Sequence, residues 1–144
     1  MNTKLREVLE QNKEYYIEQL KNLISIDTHD IGHGIKGGLE AEGQDYMIRL
    51  FESMGADEIV KDDMDEAVIQ ECFEKYQEGN LGHNQENRYN VYATFKGKGG
   101  KSVLFNSHID VMPADEVDEW TTPPFQPDIR DGKMYGRGTA DMKA

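Results

Sequence analysis

Val103, Leu104 and Phe105 stand side by side and lead directly into Ser107-His108-Ile109-Asp110-Val111-Met112-Pro113. A continuous apolar run of this kind predicts a strand over residues 102–107, buried on both faces, with Pro113 marking its end. In an extended segment side chains alternate, so His108 and Asp110 point to one side. A carboxylate beside an imidazole accepts the ring's second N–H. That fixes the tautomer and leaves the other nitrogen for a metal or a proton. The end of a buried strand is also where α/β folds place their sites. Taken alone, His-x-Asp is better read as a structural pair at a strand end.

The rest of the chain reads as helices followed by strands mixed with helices. Leu5, Val8, Leu9, Tyr16, Ile17, Leu20, Leu23 and Ile24 recur at three-to-four spacing, which predicts a helix over residues 4–26. A loop rich in Gly and acidic residues covers 27–43. A second helix spans 42–54, with Tyr46, Met47, Leu50 and Phe51 on one face and Gly55 as its stop. A short strand at 56–61 and a further helix at 65–76 follow, then a polar loop over 81–88. Val91, Ala93 and Phe95 alternate in a strand over 90–96, and a Gly-Lys turn covers 97–100. Residues 115–127 form a loop with three prolines and Trp120, and 129–135 form a tight hairpin centred on Asp131-Gly132. The class is α/β.

The second chemical motif is Tyr135-Gly136-Arg137-Gly138-Thr139-Ala140-Asp141-Met142-Lys143. Its glycines permit sharp turns and positive φ, so Asp141 sits on a constrained loop where a carboxylate can bridge two cations. A Gly-containing turn with a solvated aspartate is the bland alternative. Together the motifs are specific. His-x-Asp-x-x-Pro, a loop with Trp-x-x-x-Pro-Phe, an Asp-Gly-x-x-Tyr-Gly-Arg-Gly hairpin and a final Asp-Met-Lys follow in that order from about Asn90 onward. This arrangement resembles the M20 metallopeptidase/deacylase family.

The resemblance implies an N-terminal part of a zinc-peptidase-like catalytic domain, a mixed sheet flanked by helices. His108 matches a ligand to one metal, Asp141 the carboxylate bridging two, and Asp110 the group that orients the ligand histidine. The implied metal is Zn²⁺, two per complete site, with Co²⁺ as a substitute. N and O donors suit zinc, and two metals sharing a carboxylate activate water and polarise a scissile carbonyl. The implied reaction is hydrolysis of an amide bond in an N-acyl amino acid or small peptide. The family pattern also places a cis peptide after the bridging aspartate, here Asp141–Met142, at a cost of about 3–4 kcal/mol. Its general-base glutamate, its other metal ligands and its dimerisation/lid domain all lie downstream of Asp-Met-Lys. Residues 1–144 are therefore read as an N-terminal segment, inactive by itself. The polar stretch 62–88 is similar to the acetylornithine deacetylase/succinyl-diaminopimelate desuccinylase-like branch, which favours a deacylase. The alternative is a non-catalytic fragment, a folded or self-associating module, since an incomplete sheet leaves an exposed edge.

Other residues are less pointed. His29-Asp30-Ile31-Gly32-His33 has a zincin-like His spacing, but Asp stands where Glu is needed and glycines oppose a helix. A loop near the substrate mouth fits better. His83 reads as solvated, Cys72 as packing on a helix, and Trp120, Pro124 and Phe125 as packing for their loop. Arg137 and Lys143 are open between holding a substrate carboxylate and holding the loop. With 28 acidic against 16 basic residues and a formal charge of -12, the chain suits neither a nucleic-acid nor an anionic-membrane partner. The single cysteine, the charged N-terminus and the lack of a long apolar stretch point to the cytoplasm.

Overall fold

The computed structural model describes residues 3–29, 38–77, 86–115 and 117–144. The chain divides into two compact units: Met1–Ile26 with Ala114–Ala144, and Asp27–Pro113.

In the first unit, the expected single helix is two: α1 (Thr3–Gln11) and α2 (Lys13–Ser25). The break is at Asn12, whose side-chain Nδ2 donates to the Val8 carbonyl at 2.8 Å. The Asn12 backbone N–H still donates to the same carbonyl at 3.2 Å, and the interruption is one residue whose φ is -110° and ψ 11°. The apolar face is buried only toward the end of α2, where Leu23 and Ile24 are 6% and 0% exposed. On α1, Leu5, Val8 and Leu9 remain exposed. A 3₁₀ turn (Val117–Glu119) precedes the hairpin of β1 (Asp128–Arg130) and β2 (Lys133–Tyr135). Arg130 pairs with Lys133, so the loop has two residues. Asp131 and Gly132 both have positive φ, 51° and 73°. This is the turn that matches strand twist, and Asp-Gly is suited to it.

The second unit is built around α3 (Ala41–Ser53) and an antiparallel pair, β3 (Glu58–Asp63) with β4 (Tyr89–Thr94), in a register from Glu58↔Thr94 to Asp63↔Tyr89. Gly55 takes φ +79° just past α3, as its position predicted. Helix and sheet meet through Phe51 and Phe95, with ring centroids 6.4 Å apart at 72°. Tyr89 is buried at the junction. Its hydroxyl donates to Asp45 Oδ1 at 2.6 Å, Lys61 Nζ sits over its ring, and Gln44 Nε2 donates to its carbonyl. At the start of α3, buried Glu40 accepts from Arg88 Nε at 2.6 Å. α4 (Glu66–Tyr76) begins at Asp65, whose Oδ1 accepts from the backbone N–H groups of Ala67 and Val68.

The α/β class therefore holds, with helices and two small antiparallel sheets. The strand expected at 102–107 does not. Val103, Leu104 and Phe105 are 76%, 84% and 89% exposed, and among the described residues no strand pairs with them. A buried strand needs neighbours for its N–H and C=O groups and a layer on each face. Among the described residues neither is present. Asp141–Met142 is trans, against the cis bond expected, as no peptide bond is cis among the described residues. Trans is the ground state of a non-proline bond. Here it closes a turn in which Lys143 N–H donates to the Gly138 carbonyl at 2.8 Å.

Candidate metal-ligand motifs

The segment bearing His108 is anchored from below. Val111, 2% exposed, donates its N–H to the Thr28 carbonyl at 3.2 Å. The Thr28 hydroxyl, on a fully buried residue, donates back to the Ile109 carbonyl at 2.5 Å. His29 and Val111 form an isolated parallel bridge. Gly43 on α3 lies close beneath: a Cβ there would stand 2.7 Å from Thr28 Cγ2 and 2.8 Å from Ile109 Cδ1. Only glycine allows this approach.

On that support, His108 and Asp110 come together as the two-residue period predicted. His108 Nδ1 lies 3.1 Å from Asp110 Oδ1 and 3.1 Å from the Asp110 carbonyl oxygen. Both acceptors favour a proton on Nδ1, which puts the ring lone pair on Nε2. The imidazole is 48% exposed and the carboxylate 30%.

A second imidazole–carboxylate pair adjoins this segment. His29 Nδ1 is 2.6 Å from Asp27 Oδ1. By spacing along the chain His29 pairs with His33 instead. The Asp-x-His spacing, the mirror of His-x-Asp, was the available signal. His33 and His83 lie outside the described residues.

Asp141 belongs to the other unit. It is exposed on the turn after β2, where Gly138 takes φ +89°. The Thr139 hydroxyl donates to the Gly136 carbonyl at 3.0 Å, and Arg137 N–H to the Pro124 carbonyl at 2.7 Å. Arg137 and Lys143 both have roles in holding this loop. The Arg137 guanidinium lies over Trp120, 5.0 Å from the ring centroid, and Lys143 Nζ reaches the carbonyls of Leu23 and Ile26. Pro124 is buried, while Cys72, expected to pack, is exposed on α4, because no residue of that helix is buried. An open depression of about 460 Å³ is lined by Asp115, Glu119, Trp120 and Thr121 and includes neither motif.

The donor chemistry fits zinc: an imidazole with its far nitrogen held by a carboxylate, and a loop carboxylate. Among the described residues no group of three or more His, Cys, Asp or Glu is placed to hold a metal ion. No helix among them is long and apolar enough to cross a membrane.

Residues 104–144 match the model of Peptidase family M20/M25/M40. Succinyl-diaminopimelate desuccinylases of Burkholderia ambifaria and Burkholderia cenocepacia are 48% identical over 61 residues, which is 42% of this chain and 16% of theirs. The structure of human carnosine dipeptidase 1 aligns with 97% of this chain and 27% of its own, at TM-score 0.62 and 22% identity. Residues 104–144 are thus similar to the M20 peptidase family, and the stretch the chain shares with the curated desuccinylases is under a fifth of their length.

Proposed function

We propose that this chain is part of a metal-dependent hydrolase that cleaves amide bonds of N-acyl amino acids, with small peptides the second choice. The observation that carries the reading is the His108–Asp110 pair, 3.1 Å from Nδ1 to Oδ1, inside the segment that matches the family. His108 would ligate through Nε2, Asp110 would orient it, and Asp141 would supply a carboxylate to the metals. Bound Zn²⁺, with Co²⁺ as substitute, would supply Lewis-acid polarisation of the amide carbonyl and activation of water. The desuccinylase relatives favour an N-acyl substrate. No turnover is expected of these residues by themselves. Its setting is the cytoplasm.

The test is zinc calorimetry on the chain beside His108→Ala and Asp141→Ala, with N-succinyl and N-acetyl amino acids assayed in parallel. Zinc heat lost in both variants, without turnover, is expected. Zinc binding unchanged in both would refute the ligand assignment. Turnover by the chain would refute the expectation that these residues alone are inactive.

A second reading rests on Val103, Leu104 and Phe105, exposed in sequence on a segment without strand partners among the described residues. Such a run is open to strand addition by a second copy. Sedimentation should then show a concentration-dependent dimer that Leu104→Asp abolishes. A monomer at all concentrations would eliminate it.

A further inference from the structure

We infer that Lys143 is a positioning residue, which holds the Asp141 loop by closing the C-terminal end of α2. The assignment builds on the reading of Asp141 as a metal ligand, but the geometry is independent of it. α2 has no basic residue in its last turn, and the final carbonyls of a helix lack intrahelical partners. The Leu23 carbonyl accepts the Ile26 N–H at 3.3 Å, and Lys143 adds a charged donor to it and to the carbonyl of the C-cap residue Ile26, from 120 and 117 residues away in sequence. Its Nζ donates to the Leu23 carbonyl at 3.1 Å and the Ile26 carbonyl at 2.6 Å.

Lys143 is only 7% exposed. A buried ammonium is costly unless its surroundings replace water. Here the two carbonyls, the negative end of the helix dipole and the Phe125 ring, 5.9 Å from Nζ, do so. An ammonium committed in this way is not a surface hand for a substrate carboxylate.

The consequence falls on Asp141. The Lys143 N–H closes onto the Gly138 carbonyl at 2.8 Å, so Lys143 is tied at both its backbone and its tip. At the other end of the loop, Gly136 packs so tightly that a Cβ would lie 2.9 Å from Ile24 Cγ2 and 3.3 Å from the Pro124 carbonyl. Arg137 N–H is bound to that same carbonyl. The turn bearing Asp141 is thus pinned on either side, at Gly136 and at Lys143, against the last turn of α2. Asp141 itself is exposed, on a turn held at these two anchors.

The experiment compares Lys143→Met, Lys143→Arg and Asp141→Asn with the parent chain by amide hydrogen exchange, and by Co²⁺ titration followed by absorption. In Lys143→Met, protection of the amides of residues 139 and 143 should fall about tenfold or more. Amides of β3 and β4 serve as the internal check on folding and should be unchanged. Co²⁺ affinity should fall with the loop's protection, and Lys143→Arg, which keeps the charge, should restore part of both. Asp141→Asn should lose Co²⁺ with loop protection intact. Unchanged loop protection in Lys143→Met overturns the positioning role. Co²⁺ binding unchanged in Asp141→Asn overturns the ligand reading alone, because the exchange result stands without it. If Lys143→Met unfolds altogether, loop protection in Lys143→Arg decides: full loss despite intact β3–β4 amides contradicts the cap, and partial retention supports it.

Discussion

Replacing Gly43 by Ala sets two effects of known sign against each other. A glycine inside a helix costs about 0.5–1 kcal/mol relative to alanine, so α3 alone gains from the change. The packing opposes it. The new Cβ would sit 2.7 Å from Thr28 Cγ2 and 2.8 Å from Ile109 Cδ1, where carbon atoms prefer about 3.5–4.0 Å. Ile109 Cδ1 is the end of a flexible side chain and can turn away. Thr28 cannot: it is β-branched, fully buried, and held by its hydroxyl to the Ile109 carbonyl. Overpacking of this kind costs about 1–3 kcal/mol, which outweighs the helix term. The expected outcome is a net loss of about 1–2 kcal/mol in urea unfolding with the m-value unchanged. Amide shifts should appear at His108 and Asp110, since the displaced atoms belong to the segment between them. Ile109→Val removes one of the two contacts and should recover part of the loss in the double variant. If Gly43→Ala matches or exceeds the parent in stability, the close approach beneath the His108 segment is not as described.

Three further outcomes follow from other parts of the chain. Asp65→Ala removes the acceptor for Ala67 and Val68 N–H and should cost α4 about 1 kcal/mol, read as faster amide exchange across Glu66–Tyr76. Equal exchange rates would deny the cap its role. Tyr89 has its hydroxyl pushed well above the ordinary tyrosine range, first by burial and then by its hydrogen bond to Asp45 and the charges of Asp45, Glu40 and Asp63. A group whose pKa is raised on folding contributes stability below its unfolded value, near 10. That contribution fades as pH rises toward the folded value. Alkaline unfolding should therefore begin above about pH 10 and flatten in Tyr89→Phe, and ultraviolet titration should show one of the seven tyrosines ionising late. A Tyr89→Phe chain with the parent's alkaline profile would contradict this. Gly132→Ala forces an L side chain to φ +73° and should loosen the β1–β2 hairpin, seen as lost amide protection at Arg130 and Lys133, which a tolerant turn would retain.

What could be read from the sequence is what depends on near neighbours. The Asp131-Gly132 turn requires positive φ at two successive residues, and those residue types supply it. Gly55 ends α3 for a similar local reason. The His108–Asp110 contact joins residues two apart, so its range is local even without a strand around it. The features that escaped depend on distant chain. Three consecutive apolar residues promise burial only if something covers them, and 103–105 carry no information about a cover. The interruption at Asn12 is a single residue's backbone angles. Thr28, Gly43 and the Asp27–His29 pair support or adjoin the His108 segment from some 65 to 82 residues earlier. No pattern within either segment announces that pairing. Lys143 was open between substrate and loop because only the fold brings the end of α2 to its ammonium.

The most direct test of the metal-site assignment is Co²⁺ titration of the chain into the millimolar range, followed in ¹H–¹⁵N spectra that include the histidine ring nitrogens. The account predicts that the His108 Nε2 resonance and the amides flanking Asp141 broaden first, and that both effects disappear in His108→Ala and Asp141→Ala respectively. It also predicts that Nδ1 of His108 keeps its proton throughout, held by Asp110. Broadening centred on other residues, or on Nδ1 instead of Nε2, would contradict it.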